Sequence, residues 1–437
     1  MQTSTFQIVF IGIFLAMIVV GIGVFSLFRS GTSGSVGNVT IWGTLDQKIM
    51  DQVLMTARQQ DKSFLNVAYV QKNSDTYDSV LVSSMASGAA PDIFLLPQDE
   101  AVLFANKIIP IPYASLSQST FVSSFIDEGQ LFLTPTGSLA LPFTIDPLVM
   151  YWNRDMFATA GIQQPPQYWN DLLTLAPKIS SPATVGSSVK KSAVALGGWS
   201  NISYAKEILS ALIMQAGDPI LTRDAQGKLV ASLGSNLQQA AENPTASALR
   251  FYTDFANPAK VTYSWNNSLP LSQDAFVAGD LAIYFGLASD YTTLASRNPN
   301  LHFSVAVLPQ VQGNSSTMTF GRMTGLAIPR TAPNPSGAFT IVQKLTSQSE
   351  IAAMVQQTSL PPVRRDITVD TSGNAASAVF VQSALIAHAW DDVDPSATSD
   401  LFKSMVESVV SGASQPDAAV SESSLSLQAL VRSAAIQ

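Results

Sequence analysis

The chain has 437 residues, of which 46% are apolar and only 12% charged, with 31 acidic against 23 basic side chains and a net charge of −8. That length exceeds one ordinary core and makes two domains the starting expectation, while the acidic balance argues against nucleic acid, which selects basic faces. Cysteine is absent, which excludes disulfides, thiolate metal sites, cysteine nucleophiles and a lipid-modified cysteine anchor.

Residues Ile8 to Phe28 carry no charge. At a helical rise of about 1.5 Å per residue they cover roughly 31 Å, one bilayer core. A cleaved signal peptide is the other reading. The run is longer than a usual signal core, no Lys or Arg precedes it and no A-x-A site follows, so a retained transmembrane anchor over residues 1–29 is expected. Arg29 on its C-terminal side would by itself place that side in the cytoplasm. Residues 30–37 form a flexible Gly/Ser linker.

From residue 39 the pattern alternates between strands and helices. Val39 to Trp42 is a short β-rich run, and Gln47 to Gln60 has a helical apolar stripe with Asp46 placed to cap it. Leu65 to Val70 reads as a strand, Asp75 to Ser87 as a helix stopped by Gly88, and Asp92 to Leu96 as a buried strand. Strands alternating with helices imply a parallel sheet, whose ligands bind at the carboxyl ends of the strands. Trp42, Gly43, Pro97 and Gln98 sit at those ends.

The stretch Leu141 to Leu173 is the organising segment. Its apolar start is broken by Thr144, Asp146 and Pro147. A proline inside such a run marks an edge or a crossing point, because it cannot donate to a ladder. The chain is therefore expected to pass there from one domain to the next. Beyond it, Ala205 to Ala216 and Ala246 to Phe255 read as helices. Phe276 to Phe285 turns from helix to strand, Phe303 to Leu308 and Gly325 to Ile328 are strand-like, and Asn334 to Leu345 is a helix.

Catalytic motifs are largely missing. His302 and His388 form neither a HExxH motif nor a triad, and there is no P-loop or Gly-x-Ser-x-Gly elbow. No catalytic residue, metal ligand or cofactor is assigned. Asp391, Asp392 and Asp394 read as a hydrated loop or helix start, with a carboxylate pair or cation site as the alternative. Aromatic residues beside polar groups remain at element ends: Trp42, Trp199, Trp265, Tyr284 and Trp390. A flat aromatic face with amide, carboxylate and guanidinium neighbours suits a sugar ring, although each residue could equally be packing. Trp152 and Trp169 lie within regular apolar patterns and are assigned to packing. Asp146 must be paired, solvated in a cleft or bound to ligand. Arg322, Arg364 and Arg365 could bind ligand or brace the cleft.

These residues fall in ordered blocks: VTIWG at 39–43, GAAPDIFLLP at 88–97, LPFTIDPLVMYWNRDMFATAGI at 141–162, PPQYWNDLL at 165–173, DAFVAGDLAIYFG at 274–286, GRMTGLAIP at 321–329 and LPPVRRD at 360–366. From Val39 onward the chain resembles the family 1 extracellular solute-binding proteins, the maltose-binding-like receptors of ABC importers. The resemblance implies an α/β fold of two periplasmic-binding-protein-like lobes with three interlobe crossings, near Thr144–Pro147, Ile283–Phe285 and Leu345–Ser347. Lobe 1 would comprise residues 39–145 plus 285–345, and lobe 2 residues 146–284 plus 346–437. Ligand contacts are implied at Trp42, Asp146, Trp199, Trp265, Tyr284 and Trp390, with Arg322 added from its setting. The function implied is capture of a sugar or oligosaccharide and its delivery to ABC permease subunits, by a globular part held outside the cell membrane on the N-terminal helix. A non-sugar solute (polyamine, glycerol phosphate or peptide) and a surface glycan-processing protein remain alternatives. One departure stands out. Such chains carry Thr before the Trp of the PP-x-x-W block, where it caps a helix, and here the position is Tyr168.

Overall fold

A computed structural model describes residues 36–180, 189–235, 243–313 and 316–434. The expected membrane anchor, and all of the linker before Val36, lie outside the described residues. Among the described residues no helix is long and apolar enough to cross a membrane.

The first third forms as the periodicity predicts. Strand β1 (Val39–Gly43) is followed by α1 (Gln47–Gln60), whose N-terminus is capped by the Asp46 side chain. Strand β2 (Val67–Gln71), helix α2 (Tyr77–Ser87) and strand β3 (Ile93–Pro97) complete the unit. Gly88 ends α2 at φ 75°, a left-handed conformation that a Cβ would disfavour. Both β2 and β3 pair with β1 in parallel, so the three carboxyl ends lie on one side.

The organising stretch opens as one 14-residue strand, β4 (Ala140–Asn153). Further along the chain come β5 (Ser192–Val194), β6 (Leu281–Leu287), β7 (Phe303–Val307), β8 (Thr319–Ala327) and β9 (Ala387–His388). They form a nine-stranded mixed sheet in the order β2-β1-β3-β8-β4-β6-β5, with β7 also on β4 and β9 on β8. The N-terminal half of β4 pairs antiparallel with β8, with Asp146 opposite Arg322 and Pro147 opposite Gly321. The C-terminal half pairs with β6 and β7, from Leu148 to Asn153. The register shift beside Pro142 places that proline at a bulge, where a missing N–H is tolerated.

Two hydrophobic cores flank this shared strand. One gathers Val39, Ile41, Ile93, Phe143, Ile145, Met323 and Ile341. The other gathers Leu148, Met150, Tyr151, Leu209, Trp265, Ile283 and Phe402. The chain passes between the two cores at Asp146–Pro147, from Ile145 in the first to Leu148 in the second. The other two expected crossings need correction. Phe285, Leu287, Leu294 and Leu308 pack in the second core, because β6 stays hydrogen-bonded to β4 as far as Leu148. The second passage is therefore on β8, between Phe320 in the second core and Met323 in the first. Ile351, Met354 and Val363 pack in the first core, so the chain leaves it only after Val363; Ala376 and Phe380 pack in the second core, and Ala384 and Ala387 touch the first again before Trp390 settles in the second. Residues 285–318 thus belong with the second lobe and 346–363 with the first.

The helix-start question at Tyr168 also has an answer. The Asp171 carboxylate accepts from the Gln167 and Tyr168 N–H groups at 3.1 and 2.9 Å, which fixes the turn leading into the helix Asp171–Ile179, while its N-cap residue Asn170 makes no side-chain capping bond.

Candidate ligand cleft

Strands β4 and β8 carry the centre of the site. Asp146 and Arg322 are directly opposite each other in register, so both leave the same face of the pair. The Asp146 carboxylate accepts from the Ser289 N–H at 3.0 Å. Burial pushes its pKa up to about 6, while the Ser289 hydrogen bonds oppose the shift. Arg322 reaches the second lobe. Its Nε donates to Glu207 Oε1 at 2.9 Å, Nη2 donates to the same oxygen, and the guanidinium lies 5.0 Å from the centre of the Tyr204 ring. The Arg322 side chain is still 48% exposed while that of Glu207 is only 10% exposed, so solvent screens the guanidinium end of a pair whose carboxylate end is buried.

Tyr204 and Glu207 are positioned by the start of helix α3 (Ala205–Gln215). Tyr204 itself is at φ 59°, a left-handed conformation uncommon for a ring-bearing residue. Its hydroxyl donates to Asp290 Oδ1 at 3.2 Å. Asp290 is the anchor beneath it, accepting also from the Tyr284 hydroxyl at 2.8 Å and the Leu287 N–H at 3.2 Å. Burial raises the Asp290 pKa, and the two tyrosine hydroxyls oppose this. Gly286 is required for the arrangement, since a Cβ there would stand 2.4 Å from the Tyr284 ring and 2.6 Å from Asp290 Oδ2.

Two further groups face this assembly. Lys206 uses its three donors on Asp392, Thr398 and the Pro395 carbonyl, at 2.6, 2.8 and 3.0 Å. Asp99 sits in the turn that follows β3, at the carboxyl end of the parallel strands. Burial raises its pKa, Lys206 and Arg322 lower it, and Asp392 raises it further. Charges from the first lobe, the crossing strands and the second lobe thus lie within electrostatic reach of one another.

The residues expected at the site divide into two groups. Asp146, Arg322, Trp42 and Trp199 retain solvent exposure. Trp42 is on β1, with the Lys72 ammonium 3.6 Å from its ring centre, so one face is already covered by a cation. Trp199 is half-buried against the second core. Trp265, Tyr284 and Trp390 are 0%, 1% and 5% exposed, and each has its polar atom engaged. The Trp265 indole N–H donates to Asn201 Oδ1 at 3.1 Å and that of Trp390 to Ser210 Oγ at 3.3 Å. Their expected contact with ligand is corrected to packing in the second core, and the Tyr284 hydroxyl is taken up by Asp290 and Gln273. The packing assigned to Trp169 stands, at 3% exposure and with its indole N–H on Gln215. Trp152 packs on Phe157 at 5.0 Å between ring centres.

Arg364 and Arg365 brace the first lobe, pairing with Asp366 and Asp127. The acidic run is not hydrated throughout: Asp392 is 1% exposed and ion-paired to Lys206, while Asp394 caps the helix Pro395–Val410. Sequence reasoning missed Asp99, Tyr204, Lys206, Glu207 and Asp290. Asp99 had a signal, since it follows the flagged strand end Pro97-Gln98 by one residue. Glu207 was hidden inside a helix read by its apolar residues alone. Among the described residues no group of His, Asp and Glu side chains could hold a metal ion.

Comparison with known proteins agrees with this architecture. The profile of the bacterial extracellular solute-binding protein family matches residues 56–381. Among curated relatives, the Brucella abortus (strain 2308) protein BAB2_0491, named for binding, is 21% identical over 372 residues, covering 80% of this chain and 82% of that one. The sn-glycerol-3-phosphate-binding periplasmic protein UgpB of Escherichia coli K12 is 24% identical over 166 residues, covering 35% of this chain and 37% of its own. Among solved structures, the cyclic alpha-maltosyl-1,6-maltose binding protein from Arthrobacter globiformis superposes with a TM-score of 0.75 at 16% identity, covering 91% of this chain and 99% of that one. With a match across three quarters of its length, two cores on one shared strand and a polar cleft at the crossing, the chain belongs to the bacterial extracellular solute-binding proteins.

Proposed function

We propose that this protein captures a sugar or oligosaccharide in the interlobe cleft and delivers it to an ABC-type permease, without chemical turnover. The observation that carries this reading is that Asp99, Asp146, Tyr204 and Glu207, from three parts of the chain, all lie within reach of Arg322. Carboxylates and a guanidinium held at fixed positions suit the hydroxyl rim of a sugar, and the exposed parts of Trp42, Trp199 and Tyr204 suit its apolar face. The likeness to the Arthrobacter globiformis cyclic maltosyl-maltose binder supports a saccharide. Closure of the lobes about the crossing strands would hold the ligand, the hinge motion that periplasmic binding proteins illustrate. The family places the globular part outside the cytoplasm, and in our reading the apolar run at 8–28 tethers it to the membrane.

A phosphorylated solute is the second reading, favoured by the relationship to UgpB. It would require Arg322 to leave Glu207 or Lys206 to leave Asp392, because both cations are already paired.

A thermal-shift panel of mono- and oligosaccharides, polyamines and glycerol phosphate tests these readings, since a ligand of the folded state raises the melting temperature. Stabilisation by a saccharide alone supports the first. Stabilisation by glycerol phosphate or a polyamine with no saccharide response overturns it. Turnover of any glycan in the same samples would transfer the protein to the enzyme class.

A further inference from the structure

The crossing strands have a second face. Side chains alternate along β8, so Gly321 points away from the face that carries Arg322. Against Gly321 lies Glu128, from the turn Asp127–Phe132 of the first lobe. A Cβ at Gly321 would stand 1.9 Å from Glu128 Oε2 and 2.8 Å from Ile145 Cδ1, so glycine leaves the space that the carboxyl fills. Glu128 is 2% exposed, and neither of its oxygens has a hydrogen-bond partner of normal geometry. Burial pushes its pKa up to about 8, the Met323 N–H gives partial relief and the Asp99 charge adds to the rise.

Beside Glu128 is a crevice of about 310 Å³. Asp127, Gln130 and Leu131 line it from the first lobe, and Arg223 and Asp391 from the second. The charged groups on the elements around Glu128 are few. Asp127 is neutralised by Arg365, Arg223 is paired with Asp391 at 2.9 Å, and His388 on β9 hydrogen-bonds the Ile386 carbonyl. Asp146 and Arg322 leave the opposite face of the strand pair. No cation is placed on the Glu128 carboxyl. A carboxylate in that setting must find water or a positive charge, and the crevice holds both an opening and a guanidinium.

We propose that Glu128 is a proton-operated element of the hinge: as a neutral acid it fills the space at Gly321, and loss of its proton to solvent drives the carboxylate toward the crevice and Arg223, shifting β8 and the angle between the lobes. Two arrangements of one packed contact, biased by a single proton, form the bistable element that such a change requires.

The test needs no solute, so its failure is separable from failure of the solute-binding reading. The absence of cysteine allows a clean label pair, Ser87→Cys on α2 of the first lobe and Ser296→Cys on the helix Asp290–Arg297 of the second, both exposed. Spin-label distances in the full chain are measured from about pH 6 to about pH 10, to bracket the Glu128 titration. The expected result is a change of interlobe distance centred near pH 8 in the parent protein and none in Glu128→Gln. Gly321→Ala, which displaces the carboxyl sterically, should show the high-pH distance already at about pH 6. If Glu128→Gln does not fold, Glu128→Ala replaces it, since it removes the charge and leaves the space. A pH-independent distance in the parent protein, or the same transition in the Glu128 variant, overturns the proposal.

Discussion

The two faces of the β4–β8 crossing handle buried acid in opposite ways. On the cleft face Asp146 receives a backbone N–H, and Arg322 is held by Glu207 and by the Tyr204 ring. On the other face neither Glu128 oxygen has a hydrogen-bond partner of normal geometry, the Met323 N–H gives only partial relief, the pKa is raised, and the missing side chain of Gly321 makes room for the carboxyl. Desolvation disfavours charge on both faces. One face offsets it with hydrogen bonds and ion pairs, the other by keeping the acid neutral. The first solution preserves charge where a ligand arrives. The second places a titratable group where the lobes pivot.

The largest effect should come from a residue that belongs to neither face. Trp265→Ala should cost about 3–5 kcal/mol in urea unfolding, as expected for a fully buried ring, while folded protein keeps its solute affinity. Loss of affinity at unchanged stability would return Trp265 to the cleft. Next, Gly321→Val should cost about 1–3 kcal/mol by overpacking against Glu128. A neutral result would show that the Glu128 face is loose and not pre-shaped.

The pH dependence of stability sharpens the contrast further. The Glu128 pKa of about 8 lies above its ordinary 4.5, so the folded state holds the proton more tightly than the unfolded chain. Its contribution is full below about pH 4.5 and is lost as pH rises through about 8, at no more than about 1.4 kcal/mol per pH unit. Asp146 follows the same sign in a lower window, from about 3.8 to about 6. Glu128→Gln should therefore flatten the upper part of the stability profile, and Asp146→Asn only the lower part. An unchanged profile in Glu128→Gln breaks the neutral-acid description. The smallest effect on stability is expected at Glu207. Glu207→Gln should change folding by less than about 1 kcal/mol, since Arg322 is half exposed, yet lower solute affinity by about tenfold through loss of guanidinium positioning. Calorimetric titration with the solute identified in the panel checks it.

The route of the chain was legible where one local cause sufficed. Asp46 caps its helix, Gly88 stops α2, and Pro147 lies where the chain leaves the first core for the second. The other two passages were not legible. Whether Phe285 belongs to one core or the other depends on how far β6 stays paired with β4, a non-local register that an apolar run does not encode. The tryptophans show the same limit. Trp42 and Trp265 look alike beside polar neighbours, but one is partly open under Lys72 and the other is sealed with Asn201 on its indole N–H.

Length, apolar periodicity and capping signals thus set two α/β domains, because those features act through local backbone chemistry and overall burial, while the solute-binding reading came from the resemblance carried by the ordered blocks. Only the tertiary structure decided which polar groups meet. Asp99, Asp146, Glu207 and Arg322 are far apart in the chain, and the fold places Arg322 opposite Asp146, on Glu207 and within electrostatic reach of Asp99. Glu128 and Gly321 are nearly two hundred residues apart, yet the space left by one is filled by the other. Such pairings depend on sheet register and lobe packing, which no single segment specifies.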